Sequence, residues 1–225
     1  MEADQKNTSR DIGAIGGFAA GLYMAAAYLT GIIIFIAVLK YPQITSASEK
    51  VRIAVEMKNM VFTTNILMYV LFGPVLVLFI QGLASRLTNP ESPVVKFSAV
   101  TGYIWAGSLA AAGMISNAAL EPLQRLFVSD PGKAEFFWQT IETVTAGIGY
   151  GDGELLGGLM TFGFGLALLK DSRFGRASGI LGIVAGFIGI ASLVPALSGL
   201  TAVFGLLQLA WFVAVGISLL NTRSA

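Results

Sequence analysis

The feature that most constrains this chain is a succession of apolar runs, each long enough to cross a lipid bilayer. A hydrocarbon core of roughly 30 Å takes about 20 apolar residues as a helix. Runs of that length fall at about 12–40, 61–86, 95–119, 152–170, 176–197 and 201–221. In lipid every backbone polar group must be satisfied within the protein, and helices do so segment by segment. The expectation is an all-α integral membrane bundle of about six transmembrane helices, a single transmembrane domain over residues 1–225. Composition agrees, with 55% hydrophobic and 12% charged residues, where soluble domains carry about 25% charged.

Composition also removes chemistries. With no His and no Cys, imidazole or thiolate metal sites, disulfides and a histidine general base are excluded. No cofactor and no metal site is expected. A net charge of +1 gives no clustered basic surface for nucleic acid, so the lipid bilayer is the expected partner. The polar start MEADQKNTSRDIG precedes an apolar stretch far longer than the core of a signal peptide, and reads as an uncleaved first span.

Short polar segments separate the runs: SRLTNPESP after the second, KDSRFGR after the fourth, and little beyond Ser198-Gly199 between the last two. The longer PQITSASEKVRIAVEMKNM suits an interfacial helical turn or an extension of the second span. In the other long connection, Ser129-Asp130-Pro131 is a helix start signal. It predicts an interfacial or re-entrant helix running to about Thr145, because Glu135 and Glu142 make a full span costly.

Orientation follows Lys and Arg in short loops. With the N-terminus inside, the inner side holds Lys6, Arg10, Arg86, Lys96, Lys170, Arg173, Arg176 and Arg223, and the outer side holds Lys40, Lys50, Arg52, Lys58, Arg125 and Lys133. The compact Lys170, Arg173, Arg176 group decides for an inner-membrane protein with both termini cytoplasmic.

Glycines are patterned. The first span opens R-x-x-G-x-x-G at Arg10, Gly13 and Gly16, and the fifth repeats it at Arg176, Gly179 and Gly182. Small-xxx-small pairs follow at Gly17 with Gly21 and at Gly182 with Gly186. Such faces let a second backbone approach closely, either within the chain, against partner subunits or in a homo-oligomer.

The segment TVTAGIGYGDGE, Thr143 to Glu154, admits three chemistries. Gly149-Tyr150-Gly151-Asp152 matches a potassium filter, but Gly147 stands where the threonine ligand is needed. Gly147 to Asp152 and Leu155 to Leu159 look like the motif of prepilin peptidases and other intramembrane aspartyl proteases, which require a second aspartate sharing a proton. Asp4, Asp11, Asp130 and Asp171 all lie outside the spans. The simplest reading is a sharp glycine turn, with Asp152 capping the next helix and Glu154 in its first turn.

From Glu154 onward, ELLGGLMTFGFGLALLKDSRFGRASGILGIVAG resembles a family of bacterial multi-pass membrane proteins known only as a domain of unknown function. The likeness lies in the Leu-Leu-Gly-Gly helix, the short basic loop and the glycine-bearing helix after it. It implies a multi-pass helical bundle and transfers no activity.

Polar side chains inside spans are functional candidates by default. Asn65, Asn117, Glu121, Asp152 and Glu154 are all expected toward the outer side and form the candidate ligand-binding set, with no catalytic residues. Crowded carboxylates there should repel one another, and at least one should hold its proton near neutral pH unless a cation or Arg125 compensates. Such a site would bind a small ligand, a cation or an amine, with the asparagines as neutral ligands. Gly73-Pro74 should bend the second span, and Gln208 lies within the sixth. The expected function is a non-catalytic membrane protein binding or transporting such a ligand. The alternatives are an accessory subunit docking through glycine seams, and a channel or protease built on GYGD.

Overall fold

The computed structural model describes residues 2–149 and 154–222, with the backbone alone for residues 2–12 and 14. Every regular element among the described residues is helical. In chain order these are α1 (Glu2–Gly31, continued by a π-helical stretch Ile32–Val38), α2 (Ala47–Glu56), α3 (Lys58–Asn65, continued by a π-helical stretch Ile66–Val70) and α4 (Phe72–Arg86). Then come α5 (Pro93–Ser129), α6 (Pro131–Ile148), α7 (Leu155–Lys170), α8 (Arg176–Ala191) and α9 (Leu200–Asn221).

Among the described residues, four stretches are long and apolar enough to cross a membrane: Ile15–Val38, Lys58–Arg86, Pro93–Ser129 and Leu200–Asn221. The remaining two apolar runs form α7 and α8, 16 residues each, or about 24 Å at 1.5 Å per residue. Helix α5, at 37 residues, is about 55 Å long and outruns a bilayer core of roughly 30 Å. Asp130 is the N-cap of α6, accepting from the Lys133 N–H at 3.1 Å, with Pro131 in the first turn. The start signal is as expected, and the helix runs three residues past Thr145, to Ile148.

Pro74 does not interrupt a helix. It falls in the first turn of α4, where its missing N–H would have no partner in any case. The irregularity lies just upstream, where Leu71 N–H reaches the Ile66 carbonyl at 2.9 Å and widens the helix to a π turn.

The chain forms two compact units. The first comprises 1–26, 74–106 and 152–225. Its core holds Phe79, Phe164, Phe204, Trp211 and Phe212, with the Phe79 ring edge-on to both Trp211 and Phe212. The glycine seam of α8 is spent here, against α7. A Cβ on Gly158 would lie 2.8 Å from the Gly186 carbonyl oxygen, and one on Gly165 would lie 2.6 Å from the Ile183 nitrogen. Backbones in such contact gain the dispersion that membrane helices rely on when lipid offers no hydrophobic drive between them. The Gly17 and Gly21 pair of α1 serves the same unit, against Gly82 of α4 and Phe212 of α9.

The second unit comprises 27–73 and 107–151. Its core gathers Val51, Ala54, Val61, Ala119, Leu120, Leu123, Ala134 and Trp138 from α2, α3, α5 and α6. Helix α2 buries Val51, Ile53 and Ala54, while Arg52 on its exposed side pairs with Glu49 and Glu56. In the 42–60 connection, where an interfacial helical turn or an extension of the second span is expected, the chain thus forms a separate helix of 10 residues. Gly149 ends α6 where a Cβ would meet the Ser108 carbonyl at 2.9 Å. Close approach to α5, rather than a left-handed backbone, requires the glycine there.

Candidate functional site

Three of the five candidate residues, Asn65, Asn117 and Glu121, lie on facing sides of α3 and α5 in the second unit. The Asn65 Nδ2 donates to the Asn117 Oδ1 at 3.0 Å, and the Asn117 Nδ2 donates to the Phe62 carbonyl at 3.2 Å. One turn further along α5, Glu121 is paired with Lys58, whose ammonium also reaches the Gln124 Oε1 at 2.8 Å. Arg125 stands at 3.9 Å from the same carboxylate. At the other end of the row, Gly113 lies against Tyr69, Val70 and the Asn65 carbonyl. The row is a polar zipper between two helices. Its one carboxylate is compensated by Lys58, a partner the sequence reading did not assign.

A second network in that unit gathers residues from three segments. The Tyr41 hydroxyl donates to the Glu142 Oε1 at 2.5 Å and accepts from the Trp138 indole N–H at 3.0 Å. Lys50 bridges to Glu142 at 3.2 Å and lies 5.1 Å from the Tyr41 ring centroid. The chain enters this network through Lys40, whose φ of 51° is left-handed, a conformation costly for a residue with a Cβ. Each polar group in it has a partner, so the network is a fastening of α6 to the segment before α2.

Glu154 belongs to the first unit, and Asp152 lies outside the described residues, as do Tyr150, Gly151 and Gly153. Glu154 is itself the N-cap of α7, yet its side chain makes no capping bond. Its backbone N–H donates to the Ser192 Oγ at 3.1 Å, and its carbonyl accepts from the Gly158 N–H at 2.7 Å. The half-buried carboxyl group lies instead beside the indole N–H of Trp105. Trp105 is 2% exposed and Phe204 1% exposed. Their rings meet edge-on at 6.4 Å and close over Gly157, where a Cβ would lie 2.8 Å from the indole. Among the described residues no Lys or Arg forms an ion pair with Glu154. The carboxyl group thus sits against an aromatic wall.

The basic loop between α7 and α8 carries a further network. Asp171 accepts from the Arg173 Nε at 3.0 Å, and from the Thr88 N–H at 2.7 Å and hydroxyl at 2.9 Å. The Arg173 guanidinium goes on to the Arg86 carbonyl at 2.6 Å. Arg86 in turn donates to the Thr222 carbonyl at 3.0 Å, at the end of α9. The Arg173 guanidinium, helped by Thr88 and opposed by burial, holds the Asp171 carboxyl well below the ordinary carboxylate range. In mid-helix, fully buried Gln208 accepts from the Thr161 hydroxyl at 2.9 Å, joining α9 to α7.

Sequence reasoning singled out Asn65, Asn117, Glu121, Asp152 and Glu154 as candidates and noted Gln208; it did not point to Trp105, Ser192, Lys58 as a partner, or the Tyr41 and Asp171 networks. Asp171-Ser172-Arg173 carried a legible signal, a carboxylate and a guanidinium two residues apart beside a helix end. Trp105 carried none, since nothing within its own helix distinguishes it from an ordinary buried ring. Of the filter-like motif, Gly147 and Ile148 lie within helix α6, whereas a filter needs successive carbonyls turned toward an ion.

The fold and the apolar helices define an all-α protein with several helices able to cross a membrane. Comparison with family models, curated proteins and solved structures finds no significant match.

Proposed function

We propose that this chain is a non-catalytic, multi-pass protein of the bacterial inner membrane that binds a small cationic ligand at its outward end, as part of transporting it. Helices α7 and α8 complete the six spans, both termini are cytoplasmic, and Glu154 is the residue on which binding turns. The reading is supported by one observation above all. Glu154 places a carboxyl group on the Trp105–Phe204 wall with no basic partner among the described residues, whereas Glu121, Glu142 and Asp171 are each matched by a Lys or Arg. A carboxylate left without a counter-charge in an apolar setting has a strong affinity for an incoming cation.

The test is thermal unfolding of purified protein in detergent, against sodium, potassium, ammonium and methylammonium chlorides and across pH. A condition that stabilises the wild type should lose its effect in Glu154→Gln and keep it in Glu91→Gln, because Glu91 is exposed and paired with Lys96 at 2.7 Å. Equal stabilisation of wild type and Glu154→Gln would overturn the assignment. Docking as an accessory subunit through glycine seams has less support, since the α8 seam is occupied by α7 of the same chain.

A further inference from the structure

We propose that the cation bound at Glu154 is a proton, so that the first unit carries a protonatable site at the head of α7. The inference rests on the reading above and names the ligand of that same site. It follows from what surrounds the carboxyl group. A hard metal cation binds through a shell of several oxygens, and among the described residues the oxygens that meet the Glu154 backbone are already hydrogen-bonded. The Ser192 Oγ accepts from the Glu154 N–H while its own hydrogen goes to the Gly189 carbonyl at 2.6 Å. The Glu154 carbonyl accepts from the Gly158 N–H. Among the described residues no cluster of carboxylates gathers there.

An organic cation needs a free aromatic face, and neither ring of the Trp105–Phe204 wall offers one. The Trp105 ring is closed by Gly157, with a would-be Cβ at 2.8 Å, and the Phe204 ring by Gly189, with a would-be Cβ at 2.7 Å. A proton needs no cavity and no further ligand. The neutral acid also avoids holding a bare charge against apolar rings. Because Glu154 is half-buried rather than sealed, the proton can exchange with water at the helix end.

Other charged and titratable groups on the packed elements lie elsewhere. On α7 the only charged residue is Lys170, at the far end, and on α8 it is Arg176, at the end opposite Ser192. Helix α9 has none from Leu200 to Asn221. On the part of α5 in this unit, Lys96 is paired with Glu91, and Tyr103 is 39% exposed. In the chain just before Glu154, Tyr150 and Asp152 lie outside the described residues, so Asp152 enters the test as a variant.

The experiment is infrared difference spectroscopy of the purified, reconstituted protein, titrated from mildly acidic to mildly alkaline buffer, with the salt and amine unfolding series run on the same preparation. The expected result is a protonated-carboxyl band that disappears as the pH rises, is lost in Glu154→Gln, shifts in Glu154→Asp and persists in Asp152→Asn. No saturable stabilisation by sodium, potassium or methylammonium should accompany it. A carboxylate ionised throughout, together with saturable stabilisation by one of those cations that depends on Glu154, would overturn the proton while keeping the site. A titrating band lost in Asp152→Asn but kept in Glu154→Gln would place the proton on the wrong residue. An ionised carboxylate with no cation effect would overturn both readings.

Discussion

At the scale of single residues, the charged groups of this chain divide by whether they are matched, and Asp171 is the most completely matched of them. Its carboxylate accepts from Arg173 and from both donors of Thr88 while almost wholly buried. Hydrogen bonds to a charged group contribute about 1.5–3 kcal/mol each, so Asp171→Asn should lower unfolding stability by about 2 kcal/mol. The pH dependence has a definite sign. Because the folded state depresses the Asp171 pKa, its contribution is complete above the unfolded carboxyl value of about 4 and is lost as pH falls toward the folded value. Chemical unfolding in detergent at pH 7 and in strong acid should therefore show the wild-type advantage over Asp171→Asn narrowing only on the acid side. An advantage that instead shrank at alkaline pH would refute the assignment.

At the scale of elements, the glycine faces and the polar zipper make separable predictions. Replacing Gly186 by Leu forces a side chain into the α7 backbone, against the Gly158 carbonyl at 2.6 Å from the would-be Cβ. Overpacking of that kind costs about 1–3 kcal/mol or more. Gly16, with nothing within 4 Å of its would-be Cβ, should accept Leu with little change. Thermal unfolding of the two variants side by side checks this, and equal tolerance would mean the α7–α8 contact is looser than described. For the zipper, a double-mutant cycle on Asn65→Ala and Asn117→Ala should return a coupling near 0.6 kcal/mol, the usual size for hydrogen bonds between membrane helices. A coupling of zero would show that the two amides do not meet.

Much of this level was legible beforehand. The α8 seam follows from glycines at steps of three and four, and the start of α6 from Ser129-Asp130-Pro131. The π-helical stretches were not, because Ile32–Val38 and Ile66–Val70 are as apolar and regular as any helix in the chain. Glu154 was legible as a polar residue at a helix start. That its side chain turns to Trp105, 49 positions away, was not, because a contact between distant positions leaves no periodicity in a single sequence.

For the molecule as a whole, hydrophobic runs set where helices form and left their arrangement to long-range contacts. The division at Ala26-Ala27, Gly73-Pro74 and Ala106-Gly107 crosses three apolar runs that the sequence presents as continuous. Orientation remains the most direct whole-molecule test. The absence of native Cys makes single-cysteine labelling clean. A cysteine at Ser172, in the loop bearing Lys170, Arg173 and Arg176, should react only from the cytoplasmic face, and one at Thr140 of α6 only from the opposite face. Reaction of Ser172→Cys from outside would invert the topology.

The shortness of α7 and α8 has a consequence for the lipid itself. At about 24 Å each, these helices fall about 6 Å short of an average hydrocarbon core of roughly 30 Å. They are tied into the first unit by backbone contact and by the Asp171 network, so they have little freedom to adjust. On the six-span reading proposed above, the membrane would then give way, and acyl chains beside this face would shorten or tilt to meet it, at a fraction of a kcal/mol per ångström of mismatch. Such a protein would be most at ease in thin bilayers, and the length of the lipid tails chosen for reconstitution becomes a variable of the protein's own stability.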